Sequence, residues 1–554
     1  MNTGVEFDSA GVAFSERVRS NQARLTAALE AQYDFIVCGS GSSGSVVARR
    51  LAENPEVNVL LLEAGGDDDV ASIQQAASWP MNLGSEHDWS FTAQPNPAIN
   101  GRSLPLSMGK VLGGGSSINL MIWARGHKND WNFFAEEAGD PSWNYESVLR
   151  IYRRIEDWHG NPDPKYRGTG GLVYVEPGPD SSAAVLAVLD GARSVGLPTY
   201  ENQNGRLMES AGGASIIDLR VREGIRQSVF RSYVYPIMDR PNLTVLTRAL
   251  VTRLMFEGKR VTGVEIHHQG AIRHIGARSE VILSLGAIHT PKVLMQSGIG
   301  DQHELHSLGI PIMEHLPGVG QNFQDHVGFN CVWENRDQRR GAMADATFFA
   351  KSDAGLDTPD LHTFFGEFVM SSPENTRRFP MPATGWGFFG TLVRPKSRGR
   401  LRLSGPNPDD PIRIEANHLS HPDDLKAAQR SVEISRAIGN SAPLHPFTRR
   451  EVAPGNLQGP DLDNFLRDAA LTAWHETCTA KMGRDSMSVV DAQLKVYGIK
   501  NLRIADGSIM PRVTIGNTMA PCIVIGERAA EMLRNDHRIE TSSVASPSPI
   551  GTTI

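Results

Sequence analysis

Residues 33–65 read YDFIVCGSGSSGSVVARRLAENPEVNVLLLEAG. An apolar run at 35–39 meets three spaced glycines, a helix is predicted over 43–54, and a second apolar run at 57–63 closes on an acid. Strand, helix and strand joined this way make a βαβ unit, which demands a right-handed crossover and a parallel sheet. Gly39 permits the tight turn, Gly41 lets backbone approach a pyrophosphate, and Gly44 lets helix and strand pack closely. Ser42 and Ser43 stand where the helix opens, and free N–H groups at a helix N-terminus face phosphate. Glu63 ends the second strand, where a carboxylate accepts from both hydroxyls of an adenosine ribose and repels a 2′-phosphate, which disfavours NADP. The pattern predicts a bound dinucleotide and leaves FAD and NAD open.

The rest of the chain must be read around that unit. It has 554 residues, 40% hydrophobic and 21% charged, enough to bury a sizeable core. A net charge of −7 offers no basic field for nucleic acid. No apolar run reaches the length of a membrane span, and the first residues lack the apolar stretch of a secretory signal. Cys38, Cys331, Cys478 and Cys522 are scattered without CxxC or zinc spacing, so no metal site is expected and a reducing, cytoplasmic setting is.

Residues 13–30 read as a short amphipathic helix docked on the body. Residues 248–285 read as an antiparallel hairpin, a further short run GAIRHIGA, and then one buried strand, SEVILSLG. Residues 331–470 alternate polar and apolar, as in a sheet with one wet face. The segment 520–536 reads as a helix with Pro521 in its first turn, followed by a Ser/Pro/Thr-rich tail expected to be flexible. Nucleotide-fold pieces thus lie at the start, middle and end, with a different sheet inserted. The expected organisation is a helical extension (1–32), a dinucleotide domain (33–155, 210–330 and 471–536), a substrate domain (156–209 and 331–470) and a tail (537–554).

A second block, SMGKVLGGGSSINLMIWARG at 107–126, carries three consecutive glycines and two serines, a backbone able to lie against a flat ring or a phosphate. Together with GAIHTPKVLMQSGIG (286–300), WHETCTAKMG (474–483) and IADGSIMPRVTIGNTMAPCIVIGERAA (504–530), it resembles the glucose-methanol-choline (GMC) family of FAD-dependent oxidoreductases. The four blocks occur in the family's order and span roughly residues 33–535. The resemblance implies an α/β fold, an FAD-binding Rossmann-like domain interleaved with a substrate domain built on a mostly antiparallel sheet flanked by helices. It implies FAD contacts from Gly109, Gly114, Ser116, Asn119 and Met121, from Val251 in the strand run, and from Asp506, Thr518 and Met519 near the end. Some relatives attach FAD through a histidine just before the asparagine of the first block; here that position is Ile118, which has no nucleophile, so dissociable FAD is expected.

His475 falls where the family places its general base, and Asn517 where it places the partner that holds the substrate oxygen; by itself Asn517 also reads as an N-cap for the last helix. That helix N-terminus suits negative charge near flavin N1. The implied reaction is oxidation of a primary alcohol: His475 takes the hydroxyl proton and hydride passes to flavin N5. Oxygen or another acceptor then reoxidises the flavin. Trp474 beside the base and Phe365 among nearby aromatics suggest an apolar or aryl pocket. A choline-type dehydrogenase and an FAD-containing lyase resembling the hydroxynitrile lyases are the rival readings. A monomer or homodimer is expected.

Overall fold

The computed structural model describes residues 9–178, 182–336 and 345–540. The βαβ unit is there, with strands Gln32–Cys38 and Val59–Leu62 parallel and in register from Phe35↔Val59 to Cys38↔Leu62. They form the middle of a seven-stranded sheet ordered Leu243–Leu246, Val59–Leu62, Gln32–Cys38, Ala271–Leu283, Arg260–His268, Ala249–Glu257, with Leu502–Ile504 also paired to Ala271–Leu283. Val59–Leu62 and the Phe35–Cys38 part of its neighbour are apolar and buried because both faces are covered. Helices Ser42–Ala52 and Met519–His537 pack together beneath them.

Two sequence readings change here. The runs GAIRHIGA and SEVILSLG are one strand, Ala271–Leu283. Its exposed first half pairs antiparallel with Arg260–His268, and its buried second half runs parallel to Gln32–Cys38 and Leu502–Ile504. The change of texture midway marks a change of neighbours, from water to core. The N-terminal helix begins earlier than expected, at Ser9–Ala27. It covers the outer parallel strand, where Gln22 Nε2 donates to Leu243 O at 2.9 Å and Gln22 Oε1 accepts from Val245 N at 2.9 Å, closing an edge that would otherwise be open. Residues 541–554 of the expected tail lie outside the described residues.

The second sheet is antiparallel and ordered Thr448–Ala453, Val327–Asn335, Gly385–Leu392, Leu361–Gly366, Ala346–Ala350, Gly213–Ile216. Gly213–Ile216 and the start of Val327–Asn335 come from stretches that the sequence division assigns to the dinucleotide domain, yet they hydrogen-bond in this sheet. Period-two alternation sends Phe329, Trp333, Phe365, Trp386 and Phe388 to one face, where they form a core with helices Ala183–Ser194, Pro422–Gly439 and Gly459–Ala469. The stacked Trp333–Trp386 pair, 4.4 Å apart, belongs to this core. The opposite face carries Asn330, Phe389 and Phe364 side by side across three strands and looks onto a cavity against the first sheet.

Candidate active site

One elongated cavity runs from the first glycine turn to His475, and every cofactor and substrate residue expected from sequence borders it except Gly44. Gly44 serves the turn from behind: a Cβ there would sit 1.9 Å from Gly39 O, so only glycine lets the helix close on the strand. Gly39 has φ +99°, and a Cβ on Gly41 would meet nothing, because its missing side chain faces the open cleft. The second glycine block lies directly against the first, since a Cβ on Gly114 would come within 3.0 Å of Gly41 Cα. Ser42 and Ser43 open the first helix onto the cavity, with Ser43 Oγ donating to Cys522 O at 2.6 Å.

Glu63 reaches the cavity, but its carboxylate also ties the turn together. Oε2 accepts from Ser40 N at 3.1 Å and Ser40 Oγ at 2.7 Å, and Oε1 accepts from Gly65 N at 2.9 Å. Burial pushes its carboxyl above the usual range, against those hydrogen bonds. Val251 lines the same cavity from the strand Ala249–Glu257. Asp506 is likewise buried and raised, its Oδ2 accepting from Gly286 N at 2.9 Å and Thr290 Oγ1 at 2.6 Å. Ser116 Oγ turns to the protein, donating to Gly113 O at 2.7 Å and accepting from Val229 N at 3.0 Å. Asn119 Oδ1 accepts from Met121 N at 2.9 Å, and its Nδ2 lies 3.3 Å from Met519 Sδ.

His475 is held from three sides. Its backbone N donates to Asp325 Oδ1 at 2.9 Å, and Asp325 Oδ2 accepts from Thr472 Oγ1 at 2.5 Å and His418 Nε2 at 3.2 Å. Trp474, just before it, sits at φ +58°, its N donating to Thr472 Oγ1 at 2.8 Å. The imidazole Nε2 lies 3.2 Å from Asn517 Nδ2, and Nδ1 lies 2.9 Å from Nδ1 of His326. An amide nitrogen only donates, so Nε2 is unprotonated and accepts from Asn517, and Nδ1 carries the proton, donated to His326. Burial pushes His475 down to about 4, opposed by Asp325, and lowers His326 further with the help of His475. The base position therefore holds a neutral imidazole whose accepting nitrogen faces the cavity.

Asn517 is not the N-cap. The last helix starts at Met519 after Thr518, with no side-chain capping bond, and the Asn517 amide is committed to His475 instead. Phe365 borders the cavity, but its ring packs on Trp386 and Phe388 in the second core. The residues facing the cavity from that sheet are its neighbour Phe364, with Phe389 and Asn330. Sequence reasoning missed these, along with His326 and Asp325. Strand parity across 361–366 is the signal that separates Phe364 from Phe365. Nothing local in QNFQDH marks its histidine as the partner of a residue 149 positions away.

These residues fit FAD. Gly41 and Gly115 point no side chain into the cleft, two helix N-termini open onto it, and at the far end Asn517 Oδ1 and Trp474 Nε1 are buried without a protein partner. A parallel dinucleotide sheet joined to an antiparallel sheet, with an imidazole–amide pair between them, defines an FAD-dependent oxidoreductase acting on CH–OH groups.

Comparisons with known proteins narrow the class. Family models described as GMC oxidoreductase match residues 33–328 and 395–526, and the chain belongs to that family. It is 35% identical over 551 residues to the mitochondrial choline dehydrogenase of Mus musculus, covering 93% of this chain and 91% of that protein. It is 34% identical over 532 residues to an oxygen-dependent choline dehydrogenase of Brucella anthropi, covering 90% and 95%. Among solved structures it resembles pyridoxine 4-oxidase from Mesorbium loti, with TM-score 0.86 and 30% identity over 91% of this chain and 99% of the other.

Proposed function

We propose that this protein oxidises an uncharged, apolar primary alcohol, with His475 as general base and Asn517 as its hydrogen-bonding partner. FAD, when bound, supplies the two-electron acceptor. His475 Nε2 takes the hydroxyl proton while Nδ1–H stays on His326, which keeps the accepting nitrogen turned to the substrate. Asn517, one N–H of which is given to His475, has a second N–H to donate to the substrate oxygen as that proton leaves. The aromatic walls of the cavity, Trp474, Phe364 and Phe389, exclude water and hold the carbinol carbon in place. The observation that carries this reading is the unprotonated imidazole nitrogen hydrogen-bonded to an amide at the aromatic end of the cavity.

Ile118 is buried and aliphatic, which supports non-covalent FAD. Gly39, Gly41, Ser42, Ser43, Glu63, Gly109, Gly114 and Val251 are assigned to its dinucleotide part. Ser116, Asn119, Met121, Asp506, Thr518 and Met519 are assigned to its ribityl and ring parts. Oxygen or another acceptor completes the cycle. A cytoplasmic monomer or homodimer is part of this reading; all four cysteines are free, as in a reducing setting, and among the described residues no helix is long and apolar enough to cross a membrane.

The choline reading has its own support in the two choline dehydrogenases, and aromatic walls can hold a quaternary ammonium. Against it, Glu63 and Asp506 are tied into the dinucleotide cradle, and burial with Asp325 raises Glu476 well above the usual range, which disfavours a carboxylate charge there. Anaerobic stopped-flow reduction with benzylic, furanic and aliphatic alcohols and with choline decides between them. Faster flavin bleaching by neutral alcohols is expected. Bleaching by choline alone overturns the substrate assignment, and no bleaching by any alcohol returns the lyase reading.

A further inference from the structure

Two arginines behind the flavin end of the cavity have no acid to balance them. Arg220 and Arg226 are 0% and 2% exposed, and among the described residues no carboxylate acts on either, only Tyr233 on Arg220 and Arg220 on Arg226. Arg226 Nη1 donates to Asn119 O at 2.6 Å and to Asn119 Oδ1 at 2.9 Å, and its Nε donates to Ile73 O at 2.9 Å. Arg220 Nη2 donates to Ser232 Oγ at 2.7 Å, and its Nη1 lies 3.9 Å from Met519 Sδ. Arg220 Nε and Arg226 Nη2 have no hydrogen-bond partner. Burial pushes the guanidinium of Arg226 down to about 9 and that of Arg220 to about 10, and the two repel.

Carbonyl and hydroxyl oxygens satisfy some of these N–H groups but leave two charges unneutralised, which a protein interior tolerates poorly. The other buried arginines are answered differently: Arg167 pairs with Glu156 and Asp218, and Arg503 with Glu280. The unpaired two both touch residues that line the cavity, Asn119 and Met519. Arg226 also orients the Asn119 amide, holding its oxygen so that its N–H₂ points toward Met519.

We propose that Arg220 and Arg226 are positioning residues that hold a positive field under the bound flavin, matched by the charge the ring system gains on reduction. The reading rests on the assignment of Asn119 and Met519 to the flavin. The balance is simple. The alcohol O–H proton goes to His475, the C–H bond breaks, and its electron pair and hydrogen pass to the flavin. The substrate leaves as an aldehyde, and the ring system ends one unit more negative. Two fixed cations nearby favour that product and raise the two-electron potential.

The test uses purified, flavin-loaded Arg226→Met, Arg226→Lys and Arg220→Met, each equilibrated anaerobically against a reference dye. Arg226→Met and Arg220→Met are expected to lower the midpoint potential by a tenfold change in equilibrium constant, about 30 mV for a two-electron couple. Arg226→Lys, which keeps the charge and loses the fork, is expected to stay within about threefold of wild type. Potentials within about twofold of wild type in both methionine variants overturn the proposal. If Arg226→Met does not retain flavin, titration of apoprotein with FAD reads the same charge: Arg226→Lys binds within about threefold of wild type and Arg226→Met at least tenfold weaker. Equal loss in both makes the role packing and ends the proposal. Asn119→Leu is the separate control: if it moves neither FAD affinity nor potential, the placement of Asn119 beside the flavin fails, whatever the arginines do.

Discussion

At the scale of single residues, the site is a set of tautomer and charge decisions made by burial. His475 is neutral because it is buried, and it accepts at Nε2 because Nδ1 is occupied by His326. His475→Ala is expected to retain FAD and slow anaerobic flavin reduction by about two to four decades. His326→Leu removes the acceptor for Nδ1–H, and reduction is expected to slow by about one to two decades. His326→Asn, whose amide oxygen accepts the same proton, is expected to recover most of the rate. Equal rates in the leucine and asparagine variants would show that His326 does not set the tautomer. The pH dependence has a definite sign. An imidazole lowered to about 4 is unprotonated in the folded state while the unfolded chain takes up a proton below about 6.5, so His475 costs stability as pH falls across that window. The destabilisation caused by His475→Asn should therefore shrink between pH 6.5 and 4, read from urea midpoints at each pH.

At the scale of elements, close approach of backbone to backbone builds the cradle. Helices Ser42–Ala52 and Met519–His537 touch at Gly526, where a Cβ would lie 2.7 Å from Ser43 O and 2.8 Å from Val46 Cβ. Gly526→Leu would overpack this contact at about 1–3 kcal/mol and tilt both helix N-termini away from the cleft. Weaker FAD retention on dialysis and a lower Tm are expected together. Gly41→Val tests the opposite case: a Cβ there meets nothing in the protein, but the side chain enters the space assigned to the pyrophosphate. Normal apoprotein stability with FAD affinity reduced by at least tenfold is expected; unchanged affinity would move the pyrophosphate elsewhere.

At the scale of the whole molecule, the cavity assigned to FAD is lined by parts that the chain order keeps apart, so binding there should stabilise the fold as a unit. At 100 times its Kd, a ligand specific for the folded state adds about 2.7 kcal/mol, and apoprotein titrated with FAD should show Tm rising with concentration. The two sheets differ in how legible they were. Gln32–Cys38 and Val59–Leu62 were readable because strand, turn and helix follow one another within one crossover. Ala271–Leu283 reads as two runs because its neighbours change midway, and neighbours are not local. Phe364 rather than Phe365 faces the cavity because pairing with Phe389 sets which parity points inward. By itself the sequence determined the βαβ unit, its glycine turn and the order of the motifs, because each rests on backbone sterics and hydrogen bonds within a few tens of residues. Only the tertiary structure decided that Asn517 meets His475 rather than capping its helix, that His326 holds the other imidazole nitrogen, and that two arginines lie unpaired beneath Asn119 and Met519. Those contacts join residues more than forty positions apart, and the burial that sets their charge exists only once both sheets have closed on the cavity.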